Sequence, residues 1–468
     1  MSNNHSSTPP SDGQQDNQQQ PAVQPESASS TINNESQPKS VFSKPVSRRD
    51  MLRLAGASGV GLLLGSTGAF GLMAATGGSL QPAYDQPGST ENVTTGTEGG
   101  SDRYDFYGNQ QAGIVTPSQN VMCFASFDVT ASDVASLKRM LQNWTVASAS
   151  LMTGQLLNGQ NENEHLPPAD TGEAAGLSPS RLTITFGAGP SLFDSRFGLA
   201  GKKPAGFADL PAFNGDNLQP EWCGGDLAVQ VCADDMQVAF HAMRNLIRIA
   251  RGTAVLRWSQ EGFQRSTAAD PNNATPRNLM GFKDGTANPN IKDAAMMNEV
   301  VWVQPQDNAG WMTGGSYMAV RRIRMRIEVW DRSSLGDQEQ TFGRYRVSGA
   351  PLGSQHEADR GDVNAKDASG QPVIPMNAHM RVARGDGNMQ ILRRPYSYSS
   401  GMDKVTGQLD AGLFFISYQR SLDKQFIPMQ KRLSEIDALN EYTQHIGSAT
   451  FACFPGVRQG GYIGDTLL

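Results

Sequence analysis

Six histidines in this 468-residue chain could ligate a metal or move a proton. No HExxH or paired-histidine pattern occurs among them, so the sequence argues against a histidine-rich zinc or di-iron site. His379 lies in MNAHMR (residues 376–381), within a long irregular stretch at 345–390. His241 lies on an amphipathic helical pattern, where a structural histidine is expected. Judged alone, His379 is either a structural residue or a ligand.

A glycine-flanked carboxylate and a pair of arginines are the next candidates. Asp284 stands in GFKDGT (residues 281–286), a pattern typical of a turn in which Asp accepts backbone N–H bonds and glycine adopts positive φ. Glycine also permits the alternative, an acid held on tight backbone against a cofactor. Arg393 and Arg394 end an apolar strand pattern in LRRPY (residues 392–396). Each arginine could equally be solvated or paired with an acid.

Composition narrows the class of protein. Lys and Arg number 39 against 45 Asp and Glu, so the net charge is −6 and no concentrated basic face predicts nucleic-acid binding. The hydrophobic fraction of 38% and the charged fraction of 18% indicate a packed globular body. The four cysteines lack CxxC spacing, which argues against a zinc ribbon or a disulfide scaffold. With 50 Gly and 26 Pro, a loop-rich α+β fold is expected.

The first hundred residues are predicted to be a targeting region rather than a folded domain. Residues 1–46 are rich in Ser, Asn, Gln and Pro and predict a disordered leader. Residues 47–75 contain SRRDMLR and then an uncharged run, and they resemble a twin-arginine export signal. A retained membrane anchor is the alternative, although six glycines make the run weakly apolar. Residues 76–115 read as a flexible linker. We therefore expect export by the twin-arginine translocase to the periplasm, cell envelope or exterior, with cleavage of the signal.

The elements that must position the candidate residues form two halves, 116–300 and 301–468. Alternating apolar residues predict strands and 3.6-residue periodicity predicts helices, in the order strand-helix-strand, strand-helix-strand. In the first half the strands are expected at 120–129, 181–187, 226–232 and 254–263, with helices at 130–152 and 234–249. In the second half the strands are expected at 316–330, 390–394, 412–418 and 448–454, with helices at 335–344 and 422–433. The pattern predicts an α+β protein with duplicated ferredoxin-like, dimeric α/β-barrel-like halves and antiparallel sheets.

Several blocks occur in one order along the chain. In the second half they are GFKDGTAN, RIRMRIEVWDR, GAPLGSQHE, HMR, ILRRPYSY and GLFFISYQRSLDKQF, and the first half contains GGDLAVQVCADD. Together with the LNEY and GSATFACFPG ending, these blocks resemble the dye-decolorizing (DyP-type) haem peroxidases. The resemblance is to their twin-arginine-exported, deferrochelatase-like branch, and it covers about residues 116–464. It implies two ferredoxin-like halves with haem b in the second.

The resemblance also implies roles for five residues. His379 would be the proximal ligand of the haem iron, Asp284 the distal acid and Arg393 the distal arginine. Arg381 and Asn288 would be candidate partners of the haem propionates. The chain departs from the family at residue 395, where proline replaces the glycine that relatives commonly have after the arginine pair. That change could alter the local geometry while leaving the first arginine in place.

The function implied is a haem b peroxidase that uses hydrogen peroxide to oxidise organic reductants such as dyes. Two alternatives stay open, a deferrochelatase that releases iron from haem and leaves the porphyrin intact, and a non-catalytic haem or iron carrier. The partners would be peroxide with a small organic reductant, or haem, and components of a ferrous-iron uptake system. We also expect a homo-oligomer. Bulky dyes would need an electron relay to the surface, with simple packing as the alternative role of the candidate aromatics, which are Trp302, Trp311, Trp330, Tyr396 and Tyr398.

Overall fold

The computed structural model describes residues 102–157, 164–266, 268–270, 272 and 274–468. The predicted leader (1–46), the export signal (47–75) and most of the predicted linker lie outside the described residues. Within the described ranges, no helix has the length and apolar character required to cross a membrane.

The first half has the order βαββαβ. Its elements are β1 (Val121–Val129), α1 (Val134–Leu151), β2 (Thr183–Ala188), β3 (Leu227–Ala233), α2 (Met236–Ala250) and β4 (Ala254–Phe263). Both helices begin at an aspartate whose side chain accepts backbone N–H groups of the first turn, Asp133 for α1 and Asp235 for α2. The prediction of this half is confirmed, with α1 starting a few residues later than expected.

The second half repeats this order with extra helices. Its elements are β5 (Ser316–Met325), α4 (Ile327–Trp330), α5 (Leu335–Phe342), α6 (His379–Arg384), β6 (Leu392–Arg393), β7 (Tyr396–Met402), β8 (Leu409–Gln419), α7 (Ile427–Ile436) and β9 (Thr443–Cys453). A short helix α3 (Ala294–Val300) connects the halves, and a π-helical turn, Leu422–Phe426, leads into α7.

The two predicted sheets are one barrel. The strand order is β2-β3-β1-β4 in the first half and β9-β5-β8-β7 in the second, so each half has the ferredoxin-like order. Pairing of β2 with β9 and of β4 with β7 joins the halves into a closed antiparallel barrel of eight strands, with β6 added to β8. The α+β prediction with dimeric α/β-barrel-like halves is therefore confirmed.

Alternation along the strands separates two cores. On β1, Met122 and Phe124 pack inside the barrel, whereas Cys123 and Phe127 pack outwards under the helices. A third cluster, which lies outside the barrel in the second half, contains Met280, Phe282, Met325, Trp330, Phe342 and Tyr442. The candidate site is built beside this third cluster.

One predicted strand was too long and one predicted strand was missed. The alternation of RIRMRIEVW predicted a strand through residue 330, but β5 ends at Met325 and the next residues turn into α4, which buries Trp330 in the third cluster. A run of four residues does not distinguish period 2 from a helical turn. The predicted strand 390–394 is reduced to Leu392–Arg393, and the separate strand Tyr396–Met402 follows it.

The end of the predicted linker is packed against the barrel. Gln111 donates from Nε2 to the carbonyls of Phe186, at 2.9 Å, and Phe454, at 2.7 Å, so it bridges the two halves. Ile114 is 1% exposed and belongs to the barrel core. The predicted end of the linker at residue 115 is therefore too late, because Gln111 and Ile114 already belong to the folded body.

Candidate active site

The loop that carries Asp284 is a tight turn. The amide of Asp284 donates to the carbonyl of Pro276 at 2.8 Å, and the amide of Asn278 donates to that of Phe282 at 2.9 Å. Gly281 has φ +84° and Gly285 has φ +131°, conformations that favour glycine. The positive φ predicted for the glycines of GFKDGT is thus confirmed, and the turn presents the Asp284 carboxylate on fixed backbone.

Glu357 fastens this loop to the long segment after α5. Its carboxylate accepts hydrogen bonds from the hydroxyls of Thr275 and Thr286 and pairs with the ammonium of Lys283. Burial raises the pKa of Glu357, but these donors outweigh it and hold the pKa below its usual value. Glu357 is therefore an ionised anchor for the turn. Sequence reasoning missed it, although it ends the GAPLGSQHE block.

Arg393 meets Asp284 across the site. Its guanidinium Nη1 lies 2.8 Å from Oδ1 of Asp284, and the two side chains are 23% and 18% exposed. Arg393 lies on β6, where it pairs with Ser417 of β8. The structure therefore brings together the two residues predicted to form the distal pair.

His379 is the first residue of α6 and faces a second carboxylate. Its Nδ1 lies 2.6 Å from Oδ2 of Asp437, which follows α7 and is 4% exposed. Burial alone lowers the pKa of His379, but the Asp437 carboxylate outweighs it and the pKa lies above its usual value. Because the bond occupies Nδ1, Nε2 is the ring nitrogen that can ligate iron. Sequence reasoning found His379 and missed Asp437.

The histidine and the distal pair belong to one site. Arg393 and Asp284 both lie close enough to act electrostatically on the His379 ring. The ring of Phe342 stacks on Phe282 with centroids 4.1 Å apart and meets the His379 ring edge-on at 6.1 Å. One aromatic stack therefore links the turn that carries Asp284 to the helix that begins at His379.

The two residues suggested as propionate partners have other contacts. Arg381 donates from Nη1 to the carbonyl of Ile374 at 3.0 Å. It lies two residues after His379, which is about 200° around a helix of 3.6 residues per turn. The amide of Asn288 donates to the carbonyl of Arg393 at 2.7 Å and accepts from its N–H at 3.1 Å. Neither contact supports the propionate roles.

Two other histidines in the described part of the chain have different surroundings. Nε2 of His241, on α2, lies 2.7 Å from Oδ1 of Asp170 in the loop after α1. His445 lies on β9, where burial and then the charge of Arg321 lower its pKa to about 3. The described residues include no group of three or more His, Cys, Asp or Glu side chains that could hold a metal ion. A single imidazole suits haem iron, because the porphyrin would supply four further nitrogen ligands.

The proposed relay aromatics are mostly interior. Trp302, Trp330, Tyr396 and Tyr398 are each no more than 4% exposed. Trp311 is partly buried and donates from its indole to the carbonyl of Lys202 at 2.8 Å. Four of the five candidates therefore cannot be the surface end of a relay.

The function of these residues follows from the family to which the chain belongs. A family model described as "Dyp-type peroxidase, N-terminal" matches residues 111–264, and one described as "Dyp-type peroxidase, C-terminal" matches residues 275–458. The chain belongs to the Dyp-type peroxidase family. The two matched regions meet between residues 264 and 275, just after β4, and thus ahead of the predicted boundary at residue 300.

Relatives of known name and structure agree with the Dyp-type assignment. A protein named "Deferrochelatase" from Escherichia coli (strain K12) is 42% identical over 402 residues, which is 84% of this chain and 94% of that protein. A solved structure of DtpA from Streptomyces lividans is 39% identical with a TM-score of 0.73, over 79% of this chain and 98% of that one. The Dyp-type peroxidase from Cellulomonas bogoriensis is 41% identical with a TM-score of 0.72, over 78% and 98%.

Haem b is the cofactor of this Dyp-type peroxidase, and the described residues fit it. The fit rests on donor chemistry, because His379 offers a nitrogen while its other nitrogen is held by a buried carboxylate. On the distal side, Asp284 and Arg393 supply a proton-transfer group and a fixed positive charge. This combination is that of an enzyme that activates peroxide.

Proposed function

We propose that this chain uses hydrogen peroxide to oxidise organic reductants, in which His379 would hold the iron of haem b and Asp284 and Arg393 would act on the peroxide. The observation that carries the proposal is the 2.8 Å pair between Asp284 and Arg393, held near a histidine whose Nδ1 is bonded to Asp437. A carrier would need the histidine but no such pair.

The chain's own residues divide the work. When bound, haem b supplies peroxide coordination and redox capacity at iron. Arg393 occupies Oδ1 of Asp284, which leaves Oδ2 to take a proton from peroxide and return it to the departing oxygen. The guanidinium keeps its charge and stabilises the negative charge that develops on that oxygen. Asp437 holds the Nδ1 proton of His379, so the ring presents Nε2 with increased basicity.

The ligand assignment is tested by histidine replacement. His379→Ala should lose or weaken haem binding, measured by the Soret absorbance per protein. His241→Ala is the matched control, because His241 also pairs with a buried aspartate but lies in the first half. Full haem binding by the His379 variant would remove this residue from the ligand role.

The distal assignment is tested by a carboxamide substitution. Asp284→Asn should keep the haem absorbance and slow the reaction with peroxide at least about 10-fold, the usual range for a lost general acid or base. Asp307→Asn is the control, since Asp307 pairs with Arg420 at 2.7 Å outside the site. A rate unchanged by Asp284→Asn would favour the haem or iron carrier.

Deferrochelatase activity is the second candidate function. It is favoured by the 42% identity to the Escherichia coli proteins that carry that name. Both activities need the same haem site, so the assay must separate them. Release of metal-free protoporphyrin from haem without oxygen or peroxide would indicate the deferrochelatase, whereas turnover of a dye with peroxide alone would indicate the peroxidase.

Export and assembly complete the proposal. The SRRDMLR sequence at 47–53 supports export by the twin-arginine translocase, with the mature protein in the periplasm or at the cell envelope. Replacement of Arg48 and Arg49 by Lys should retain the protein inside the cell at its full length. A homo-oligomer and a role with ferrous-iron uptake components are also proposed. Light scattering of the purified protein tests the first, and co-purification from the envelope tests the second.

A further inference from the structure

Asn288 contacts the main chain of Arg393. Its Nδ2 donates to the Arg393 carbonyl at 2.7 Å, and its Oδ1 accepts from the Arg393 N–H at 3.1 Å. One side-chain amide therefore satisfies both backbone groups of the residue, as a neighbouring strand would do in an antiparallel ladder.

The position of β6 explains why these two bonds are needed. β6 is the last strand in the sheet order and has only two residues. The N–H of Arg394 points to β8, where it donates to the carbonyl of Ile416 at 2.8 Å. Successive residues of a strand direct their backbone groups to opposite sides, so those of Arg393 point away from the sheet. Asn288 covers this free edge.

The same loop also holds the other end of the Arg393 side chain. Asp284, four residues before Asn288, binds the guanidinium at 2.8 Å, and the N–H of Asn288 closes a turn onto the carbonyl of Gly285 at 2.9 Å. The loop 284–288 therefore grips Arg393 at its head group and at its backbone. With both ends fixed, the guanidinium has little freedom to leave the position beside the carboxylate.

We propose that Asn288 is a positioning residue, which fixes the main chain of Arg393 and thereby sets where the guanidinium lies on the distal side. This inference rests on the proposed distal role of Arg393. It gives Asn288 a role in addition to the contact with a haem propionate that the resemblance implies.

Fluoride binding to the ferric holoprotein tests this role without turnover. Fluoride on the iron accepts a hydrogen bond from a correctly placed guanidinium, and its affinity is read from the absorption spectrum. Asn288→Ala should keep the Soret absorbance and weaken fluoride binding about 10-fold, as expected for a displaced charged donor. In an Arg393→Leu background, the same substitution should have no further effect.

Asn288→Asp gives a signature that a merely structural role would not. A protonated carboxyl group both donates and accepts, as the amide does, whereas a carboxylate only accepts and repels the Arg393 carbonyl oxygen. The fluoride affinity of this variant relative to wild type should therefore recover as the pH falls from about 7 towards about 4, the ordinary range of an Asp pKa. The charged groups around residue 288 are present in both proteins, so the ratio reports on the added carboxyl group. They are Asp284 on the same loop, Arg393 on β6 and Arg344, which acts electrostatically on Arg393.

Asn290→Asp is the matched control, since it adds the same charge two residues away, where Asn290 caps the N–H of Lys292. It should bind fluoride as wild type does at every pH. Wild-type affinity in Asn288→Ala would overturn the proposal. The proposal would also be overturned if Asn288→Ala lost haem and the fluoride affinity of Asn288→Asp did not recover at low pH. Asn288 would then have only a structural role. If Arg393→Leu itself bound fluoride as wild type does, the proposed distal role would fail instead.

Discussion

His379 and Asp437 form an imidazole–carboxylate pair between residues 58 positions apart, with Nδ1 and Oδ2 separated by 2.6 Å. The other oxygen of Asp437 accepts the N–H of Leu439 at 2.9 Å, so the carboxylate cannot rotate freely. The N–H of Ala438 also donates to the carbonyl of Asn377 at 2.9 Å, which ties the two segments together. The histidine ring is therefore oriented by the backbone that follows α7.

Replacement of Asp437 should weaken the grip on haem. Asp437→Asn keeps the size of the side chain but removes the negative charge that makes the His379 ring a stronger donor to iron. We expect haem to dissociate about 10-fold faster, the lower end of the usual effect of losing such a partner. The reduction potential should rise, because the ferric state loses stabilisation. Transfer of haem to an excess of a haem-binding apoprotein and spectroelectrochemistry measure the two effects.

Asp170→Asn is the control for that experiment. It removes the same kind of partner from His241, at 2.7 Å, in the first half of the chain. Haem dissociation and reduction potential should both stay at their wild-type values. An Asp437→Asn protein with unchanged potential and unchanged haem dissociation would contradict the role assigned to this pair.

Substitution of Arg394 should lower the Tm, whereas substitution of Arg393 should slow the reaction with peroxide. Arg394 is 3% exposed inside the barrel, where it donates to the carbonyl of Thr116 and to Oε1 of Gln119. Arg394→Met leaves these acceptors without a donor, at a cost of about 1–3 kcal/mol for each buried acceptor, and should lower the Tm. Arg393→Met should leave the Tm nearly unchanged, because its ion pair is partly exposed, and should slow the reaction with peroxide.

Thermal melting and stopped-flow spectroscopy separate these two outcomes. The two variants lose the same charge at neighbouring positions, so each is the other's control. Equal slowing of the peroxide reaction in both would show that the inner arginine also acts on the distal side.

The sequence could predict that Arg393 and Arg394 point to opposite faces of a strand, but not which of the two faces the cofactor. A strand with period 2 places Arg393 and Arg394 on opposite faces. Which face meets the cofactor depends on the barrel, and the resemblance to known peroxidases supplied that choice. The barrel itself has little local signal, because its junctions rest on few residue pairs. One is Phe263 with Ser397, and the others are Gly187 with Cys453 and Ala188 with Ala452.

The partners of the candidate residues were beyond sequence reasoning for a similar reason. Asp437 and Glu357 are two acids among 45 Asp and Glu residues, and each acquires its role only when distant segments meet. Asn288 was predicted as a partner of a haem propionate, which stays a prediction, and its contact with the main chain of Arg393 was not foreseen. A side-chain amide that pairs with backbone leaves no periodic or compositional trace.

Glu357→Gln should loosen the turn that carries Asp284. The substitution removes the charge that holds Lys283 and weakens the bonds from Thr275 and Thr286. Since a misplacement of about 1 Å can reduce a rate about 100-fold, we expect the peroxide reaction to slow about 10-fold while haem content is retained. Lys283→Met keeps both threonine bonds and should have a smaller effect. A Glu357→Gln enzyme with the wild-type rate would mean that the turn holds Asp284 without this anchor.

Asp226 should make the free energy of unfolding depend on pH in the acidic range. Its carboxylate receives two bonds from Arg196, both at 3.0 Å, one from Ser191 at 2.6 Å and one from the N–H of Val129 at 2.9 Å. Burial raises the pKa of Asp226, but these donors outweigh it and the pKa lies below its usual value. Because the pKa is lower in the folded than in the unfolded state, the stabilisation is present above the unfolded pKa and is lost as the pH falls through the folded pKa.

Asp226→Asn should therefore lower the free energy of unfolding by about 2 kcal/mol at pH 7, since a buried group loses charge-assisted partners. The difference in Tm between wild type and variant should shrink as the pH falls from about 5 to about 3, across the ordinary Asp pKa of about 3.9. Asp128→Asn serves as the control. The side chains of Asp128 and Arg257 are 39% and 37% exposed, so their ion pair contributes little to stability. A Tm difference that stayed constant over this pH range would exclude Asp226 as a source of acid sensitivity.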